Sequence, residues 1–263
     1  MRKSTLFAKQ VGFERLEDRA VLNGTVMATG AGGALVLTGD AKANAIVVHQ
    51  VGTNSDGSGA IIQVLGAGTK IQNLDTGTTG TSFKFGTGAG NGIVSIDIEM
   101  GGGSDVVSFL NTTVAGPITV NMDDPSSGGT GDGNDVLAMA NVHATSDVIS
   151  ISLGNGRNVA TVVRVSSGSD FTLTGGDGTD VVALNTVKSN TSGATNDTFT
   201  VDMGGGNFNT LAVVNCSDAN GDGDGEFSDE GTNGIISGVG NHFATQTITG
   251  FRFRAGDLRN DKV

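Results

Sequence analysis

The feature that most constrains the fold of this chain is a phrase that recurs along its body. Each copy has a run in which apolar and polar residues alternate, a turn of Gly with Asp or Asn, and a second alternating run. One copy reads Ile96–Met100, then Gly101–Asp105, then Val106–Phe109. Alternation with a period of two is typical of β-strands, and clusters of Gly, Asp and Asn are typical of turns. The body is therefore predicted to be built from short strands.

The copies recur at a spacing that suits stacked units. Further copies lie at 118–137, 149–159, 171–182 and 199–213, and a weaker one lies at 35–48. Their turns place an acid or amide at Asp105, Asp135, Asn158, Asp180 and Asn209, separated by 30, 23, 22 and 29 residues. Strands this short cannot bury a face alone, and stacking neighbouring repeats solves that problem. We predict an all-β, single-domain parallel β-helix (β-solenoid) with rungs of about 22–30 residues; a β-sandwich of hairpins is the alternative.

Glycine and phenylalanine have distinct predicted roles in this repeat. The chain has 44 Gly and 2 Pro, and Gly allows a corner with positive φ and close approach of the backbones of neighbouring rungs. Phe109, Phe171 and Phe199 occupy positions of the alternation that we expect to face inward. They are predicted to be core residues and not ligand contacts.

Charge and cysteine content exclude several classes of function. Residues 21–251 hold 22 acidic and 6 basic side chains, and the whole chain has a formal net charge of -12. This body would repel nucleic acid and anionic lipid and attract cations. The single cysteine, Cys216, excludes an intramolecular disulfide and is interpreted as either a small buried apolar residue or a free thiol. No run approaches the roughly 20 apolar residues of a membrane helix, so we expect no membrane span.

The N-terminal segment carries a resemblance that concerns location. The residues from Phe13 to Leu22 read FERLEDRAVL. They resemble the short segment that precedes many surface and secreted proteins of planctomycete-type bacteria, with Val21 where Leu is usual. The resemblance implies an extracellular or cell-surface location, with 1–30 as a targeting or cap segment and 31–263 as the β-solenoid domain. A short amphipathic helix that caps the body is the alternative.

The turns form the weaker of two candidate metal systems. Gly175–Ala183 resembles in full the calcium-binding nonapeptide of repeats-in-toxin proteins, Gly-Gly-x-Gly-x-Asp-x-apolar-x. The resemblance makes the turn acids candidate calcium ligands, namely Asp105, Asp135, Asp177 and Asp180. In that family the nonapeptides run head to tail, whereas here they are 22–30 residues apart. The alternative, which we favour, is that these Asp and Asn side chains cap their own turns by hydrogen bonds to the backbone.

The stronger candidate is the acidic loop at 218–230, inserted in the solenoid domain. A 12-residue calcium loop takes oxygen ligands from positions 1, 3, 5, 7, 9 and 12, with Gly at position 6. Those positions are filled here by Asp218, Asn220, Asp222, Asp224, Glu226 and Asp229, with Gly223 at the sharp turn. The loop looks like an EF-hand of the dockerin type, although Gly225 stands where an aliphatic residue is usual and the flanks are not helical. We expect a structural calcium ion; a disordered acidic loop is the alternative.

The candidate catalytic residues form no recognisable motif. His49, His143 and His242 are far apart in sequence, and each is interpreted as a turn or surface residue. Trp and Tyr, which stack on sugars, are absent from the chain. We therefore predict a non-enzymatic protein.

The expected function is a structural or adhesive role in a bacterial envelope or matrix. Its predicted partners are calcium and, in second place, extracellular polysaccharide or other surface proteins. A β-helical carbohydrate-active or carbohydrate-binding protein is the alternative, and an acidic intracellular scaffold is a third possibility.

Overall fold

The fold was analysed in a computed structural model that describes residues 23–123, 133–192, 197–219, 224–228, 235–239, 241, 245–249 and 252–253. These residues form one short 3₁₀ turn at Ala31–Gly33 and the following strands, numbered in chain order: β1 Thr25–Thr29, β2 Ala34–Thr38, β3 Ala45–Thr53, β4 Ala60–Gly66, β5 Lys70–Asn73, β6 Thr78–Gly80, β7 Ser82–Phe85, β8 Ser95–Glu99, β9 Val106–Val114, β10 Ile118–Asn121, β11 Val136–Ala144, β12 Ile149–Ser152, β13 Val159–Ser167, β14 Phe171–Thr174, β15 Val181–Ser189, β16 Thr198–Asp202, β17 Thr210–Val214, β18 Ser217–Asp218, β19 Asp224–Ser228, β20 Ile235–Val239, β21 Thr245–Ile248 and β22 Arg252–Phe253.

The strands form two large sheets. Sheet A has the order β21-β19-β16-β14-β12-β10-β8-β2-β1-β5-β6. Sheet B has the order β22-β20-β17-β15-β13-β11-β9-β3-β4-β7, with β18 beside β15. From β8 to β17 the chain alternates between the sheets, so that each sequence repeat contributes one strand to each sheet. The prediction of an all-β chain is confirmed, and both sheets are mostly parallel.

Equivalent positions of successive repeats lie directly opposite each other. In sheet A, Ile118 pairs with Ile96 on one side and Ile149 on the other. In sheet B, Val136 pairs with Val106 and Val159. Because strand spacing is about 4.8 Å, identical side chains form columns at that interval along each sheet. The sequence repeat thus becomes a spatial repeat with no shift in register.

The core lies at the inward positions of both sheets. The sheet A strands β10, β12 and β14 show the burial alternation of a strand with one solvated face, and Phe109, Phe171 and Phe199 are fully buried, as predicted. The rings of Phe171 and Phe199 stack with centroids 5.0 Å apart. Burial of a side chain of this size contributes about 1.5–3 kcal/mol. The hydrophobic columns are therefore a main source of stability between repeats.

A further core phenylalanine, Phe227, accounts for the glycine at position 225. Gly225 in β19 lies opposite Phe199, and Phe227 lies opposite Val201. The Phe227 ring centroid is nevertheless 6.0 Å from that of Phe199, in a tilted arrangement. Since Gly225 has no side chain, it leaves room beside Phe199 for the ring of Phe227.

The first part of the body departs from the parallel repeat. β1 pairs antiparallel with β2, and β3, β4 and β7 form an antiparallel set. β5 and β6 pair antiparallel at the same end of sheet A. β1 begins at Thr25, within the range that the sequence assigns to an N-terminal segment, whereas residues 1–22 lie outside the described residues. Antiparallel strands thus flank the parallel repeats on the N-terminal side.

Four nine-residue strands of sheet B, β9, β11, β13 and β15, contain a regular bend. The sixth residue of β9, β11, β13 and β15 has positive φ, as does Asn215 just after β17. In β9 two consecutive residues, Leu110 and Asn111, face outward before burial resumes at Thr112. A single left-handed residue shifts the alternation in this way, as in a β-bulge. The bend begins a second buried column that contains Thr112, Val142, Val165, Val187 and Cys216.

Candidate functional site

The acids and amides of the turns form one buried column. Its members are Asn44, Asp105, Asp135, Asn158, Asp180 and Asn209, which we call the Asn/Asp column; each is at most 1% exposed. The side-chain Oδ1 of each later member accepts a hydrogen bond from the backbone N–H of the member before it. The distances from Asn44 N–H onward are 2.7, 2.7, 2.9, 3.1 and 2.8 Å.

These hydrogen bonds join different repeats. The Oδ1 atoms cap the neighbouring turn, whereas the sequence favours capping of each residue's own turn. The backbone continues the same ladder, because Val159 N–H donates to the carbonyl of Asp135 and Val181 N–H donates to that of Asn158. The column therefore satisfies a buried backbone donor at each corner where two repeats meet.

Amide members of the column also close their own turns. Asn158 Nδ2 donates to the carbonyls of Gly154 at 3.0 Å and Asn155 at 3.2 Å. Asn44 Nδ2 donates to Lys42 O at 2.6 Å, and Asn209 Nδ2 donates to Met203 O at 3.0 Å. A carboxylate in the same place has no donor for these carbonyls. Amide and acid members thus both accept the hydrogen bond from the neighbouring repeat. Only the amide members also donate to a carbonyl of their own turn.

Glycines that precede the Asn/Asp column residues in sequence form a second column. At each of its members a Cβ would meet the backbone of the preceding turn; they are Gly103, Gly133, Gly156, Gly178 and Gly206. A Cβ on Gly156 would lie 1.9 Å from the carbonyl oxygen of Gly133, and Gly156 has a φ of +103°. Neighbouring turns can therefore stack at strand spacing only if this position has no side chain. The Gly-x-Asp pattern of the sequence reflects this stacking together with the buried hydrogen bond.

Gly156→Ala is expected to destabilise the protein by about 2–3 kcal/mol, since the turn must move away from the Gly133 carbonyl. Gly57→Ala is the matched control, because Gly57 also has positive φ, at +74°, but a Cβ there would meet nothing within 4 Å. The control should cost only the conformational strain, about 1 kcal/mol. Chemical denaturation of both variants measures the difference; equal losses would show that stacking of the turns is not what requires glycine.

Burial changes the acidity of the carboxyl groups in the column. Burial raises the pKa of Asp105 to about 8, and the nearby charges of Asp135 and Asp40 add to the effect, while the hydrogen bonds from Asn44 oppose it. Burial likewise raises the pKa of Asp180 to about 6, against hydrogen bonds from the Asn158 and Gly176 backbone. The Oδ2 atom of Asp105 accepts no hydrogen bond among the described residues. Burial therefore makes Asp105 and Asp180 weaker acids than a free aspartate.

The other turn acids have different surroundings. Asp177, the remaining weaker candidate, is exposed, and its backbone N–H donates to Asn155 Oδ1 at 2.8 Å. Asp123 Oδ2 accepts from Asn155 N–H at 2.6 Å. A depression of about 170 Å³ is lined by Asp40, Glu99 and Asp123. Within the described ranges, no group of three His, Cys, Asp or Glu side chains is arranged to hold a metal ion.

The predicted calcium loop is described only in part. Asp218 ends β18 opposite Ser189 of sheet B and is 3% exposed. Asp224 begins β19 in sheet A, and Glu226 is exposed in the middle of that strand. The candidate ligands Asn220, Asp222 and Asp229 lie outside the described residues. The calcium site at 218–229 therefore remains a prediction, with its ends attached to different sheets.

Two of the histidines lie in strands, and Cys216 lies between β17 and β18. Each histidine was expected at a turn or at the surface: His49 lies in β3 and His143 in β11, both half-buried and neither in a turn, and His242 lies outside the described residues. His143 Nδ1 is 2.7 Å from the hydroxyl of Ser166, and partial burial lowers its pKa. Cys216 is fully buried, and burial raises the pKa of its thiol to about 12. Of the two interpretations of Cys216, the small buried residue is the one that fits.

Comparisons with known proteins add no family to this description. The chain matches no protein-family model, and no similar curated protein or solved structure was found. Among the described residues, none of the helical segments has the length and apolar character to cross a membrane.

Proposed function

We propose that this protein is a parallel β-solenoid that serves as a non-enzymatic structural or adhesive module at a bacterial cell surface, with calcium holding its 218–229 loop. The observation that carries the proposal is the Asn/Asp column, which uses buried carboxyl and amide groups to join repeats. The Oδ1 atom of each later column member accepts a hydrogen bond from the backbone of the neighbouring repeat. Repeat proteins depend on such contacts between neighbours for their stability.

The alternation of strands between two sheets supports the solenoid in particular. Each turn from sheet A to sheet B meets the next turn in register through the backbone, the Asn/Asp column and the glycine column. A β-sandwich is commonly built from antiparallel hairpins, whereas the strands from β8 to β17 pair in parallel with their neighbours in the same sheet. Surface location is supported by the N-terminal resemblance, and the mature N-terminus of the exported protein would test it.

Calcium has a defined task in this proposal. The loop leaves β18 in sheet B and returns as β19 in sheet A, with carboxylates at Asp218 and Glu226 on its two ends. Hard oxygen ligands from Asp218, Asn220, Asp222, Asp224, Glu226 and Asp229 would suit a calcium ion. Bound calcium supplies the charge that offsets repulsion among these acids.

Calcium is expected to raise the melting temperature by about 5–10 °C relative to excess chelator, because an ion that binds only the folded state stabilises it by mass action. The paired variant Asp218→Asn with Asp222→Asn should lose this difference. Asp97→Asn is the control, since Asp97 is an exposed acid on the outer face of β8. An unchanged melting temperature in the parent protein, or an undiminished calcium effect in the paired variant, would remove calcium from the proposal.

A further inference from the structure

The outer face of sheet B carries a column of exposed valines. Val106, Val136, Val159 and Val181 lie in register at the start of four neighbouring strands. Val136, Val159 and Val181 are 39%, 41% and 43% exposed. The other outward residues before the bend of β9 to β17 are Ser, Ala, Thr, Leu, Val and Asn, and the flanking strands β3 and β20 add Val47, His49, Ile235 and Ser237. These described positions hold no Asp, Glu, Lys or Arg; the exposed Arg164 and Lys188 lie at and beyond the bend. We call this surface the valine face.

Sheet A has the opposite character on its outer face. Its outward positions carry acids at Asp97, Glu99, Asp202 and Glu226, and hydroxyl or amide side chains on the strands between them. The two sheets share one core and one repeat, so the core does not require this difference. The valine face is therefore a property of one surface alone.

Physical chemistry makes an uncovered face of this kind unusual. A contiguous exposed apolar surface usually marks an interaction site. None of the described residues packs over the valine face, as the exposure of its valines shows. In a chain with a net charge of -12, two copies repel each other except where both surfaces are uncharged.

We propose that the valine face is the interface of a homodimer, in which two copies associate face to face about a twofold axis. The outward side chains of neighbouring strands form rows about 4.8 Å apart. The ridges and grooves of one copy therefore have the same spacing as those of the other. A twofold interface needs such a self-complementary surface.

The size of the face fits a weak dimer. Seven parallel-paired strands from β3 to β20, spaced at about 4.8 Å and about five residues wide, cover roughly 500 Å² per copy. Two such faces bury about 1,000 Å², which is near the lower limit for a specific interface. We therefore expect dissociation in the micromolar range.

Sedimentation velocity of the full chain across a range of concentrations tests the proposal, in excess chelator so that the calcium loop plays no part. The parent protein should show a reversible monomer–dimer equilibrium. Thr161→Lys places a charge on the central strand, β13, and should weaken dimerisation by about tenfold or more. Thr172→Lys, on the outer face of sheet A in β14, is the control and should leave the dissociation constant unchanged.

A spin label gives a second measurement that does not depend on the lysine variant folding. The native thiol of Cys216 is buried, so a cysteine introduced as Ala138→Cys on β11 is labelled selectively. In the proposed dimer, the labels on the two copies lie a short distance apart, and the signal for that distance grows with protein concentration. A protein that stays monomeric at high concentration, a dimer insensitive to Thr161→Lys, or labels with no distance between copies would each overturn the proposal.

Discussion

Asn158→Ala is expected to lower the free energy of unfolding by about 3 kcal/mol. The substitution removes the acceptor of the buried Asp135 N–H and the donor to the carbonyls of Gly154 and Asn155. A buried polar group that loses its partner costs about 1–3 kcal/mol. Because Asn158 sits between Asp135 and Asp180, the loss falls in the middle of the Asn/Asp column.

Asn185→Ala is the matched control for this prediction. Asn185 is an exposed amide in β15, where its Oδ1 accepts only a local bond from Thr186. Its replacement should change stability by less than about 0.5 kcal/mol. Urea denaturation of both variants gives the comparison, and equal stability of the two would show that the column does not contribute as described.

The stability of the protein is expected to decrease as the pH rises from about 4 to about 8. The folded state holds the pKa of Asp105 at about 8, above its ordinary value of 3.8. The folded protein therefore binds more protons than the unfolded chain in this range, and stability falls by about 1.4 kcal/mol per pH unit for each such group. Asp180 has the same sign over the narrower range up to about 6.

Asp105→Asn isolates the contribution of that carboxyl group. An amide keeps an acceptor for Asn44 N–H and adds a donor like that of Asn158, without a charge to bury. The variant should be more stable than the parent at pH 8 to 9 and should show a shallower loss between pH 6 and 8. Denaturation at several pH values measures both slopes; parallel curves would contradict protonation of Asp105 in the folded state.

Much of the fold could be predicted from local patterns. Alternating apolar residues predicted the strands and the inward positions of Phe109, Phe171 and Phe199, because alternation encodes which face of a strand is buried. The weak copy before Ile46 was informative as well, since Asn44 is the first member of the Asn/Asp column. A glycine two or three residues before each column member from Asp105 to Asn209 predicted a tight corner, and the stacked turns confirm it.

Other features have no local signal. The left-handed bends occupy residues as different as Asn111, Arg164 and Thr186, so residue type does not predict them. The antiparallel strands on the N-terminal side follow turns that resemble those of the repeats. Gly225 is explained only by Phe199, which lies opposite it in another repeat.

The sequence by itself determined that this chain forms strands, where its turns fall and which residues face inward. These properties depend on the covalent order of residues within one repeat. Only the tertiary structure decided which turn each Asp or Asn serves, because an Oδ1 atom can reach either its own turn or one a strand spacing away. It also brought the valines of four repeats into one face, since register between strands is a property of their pairing.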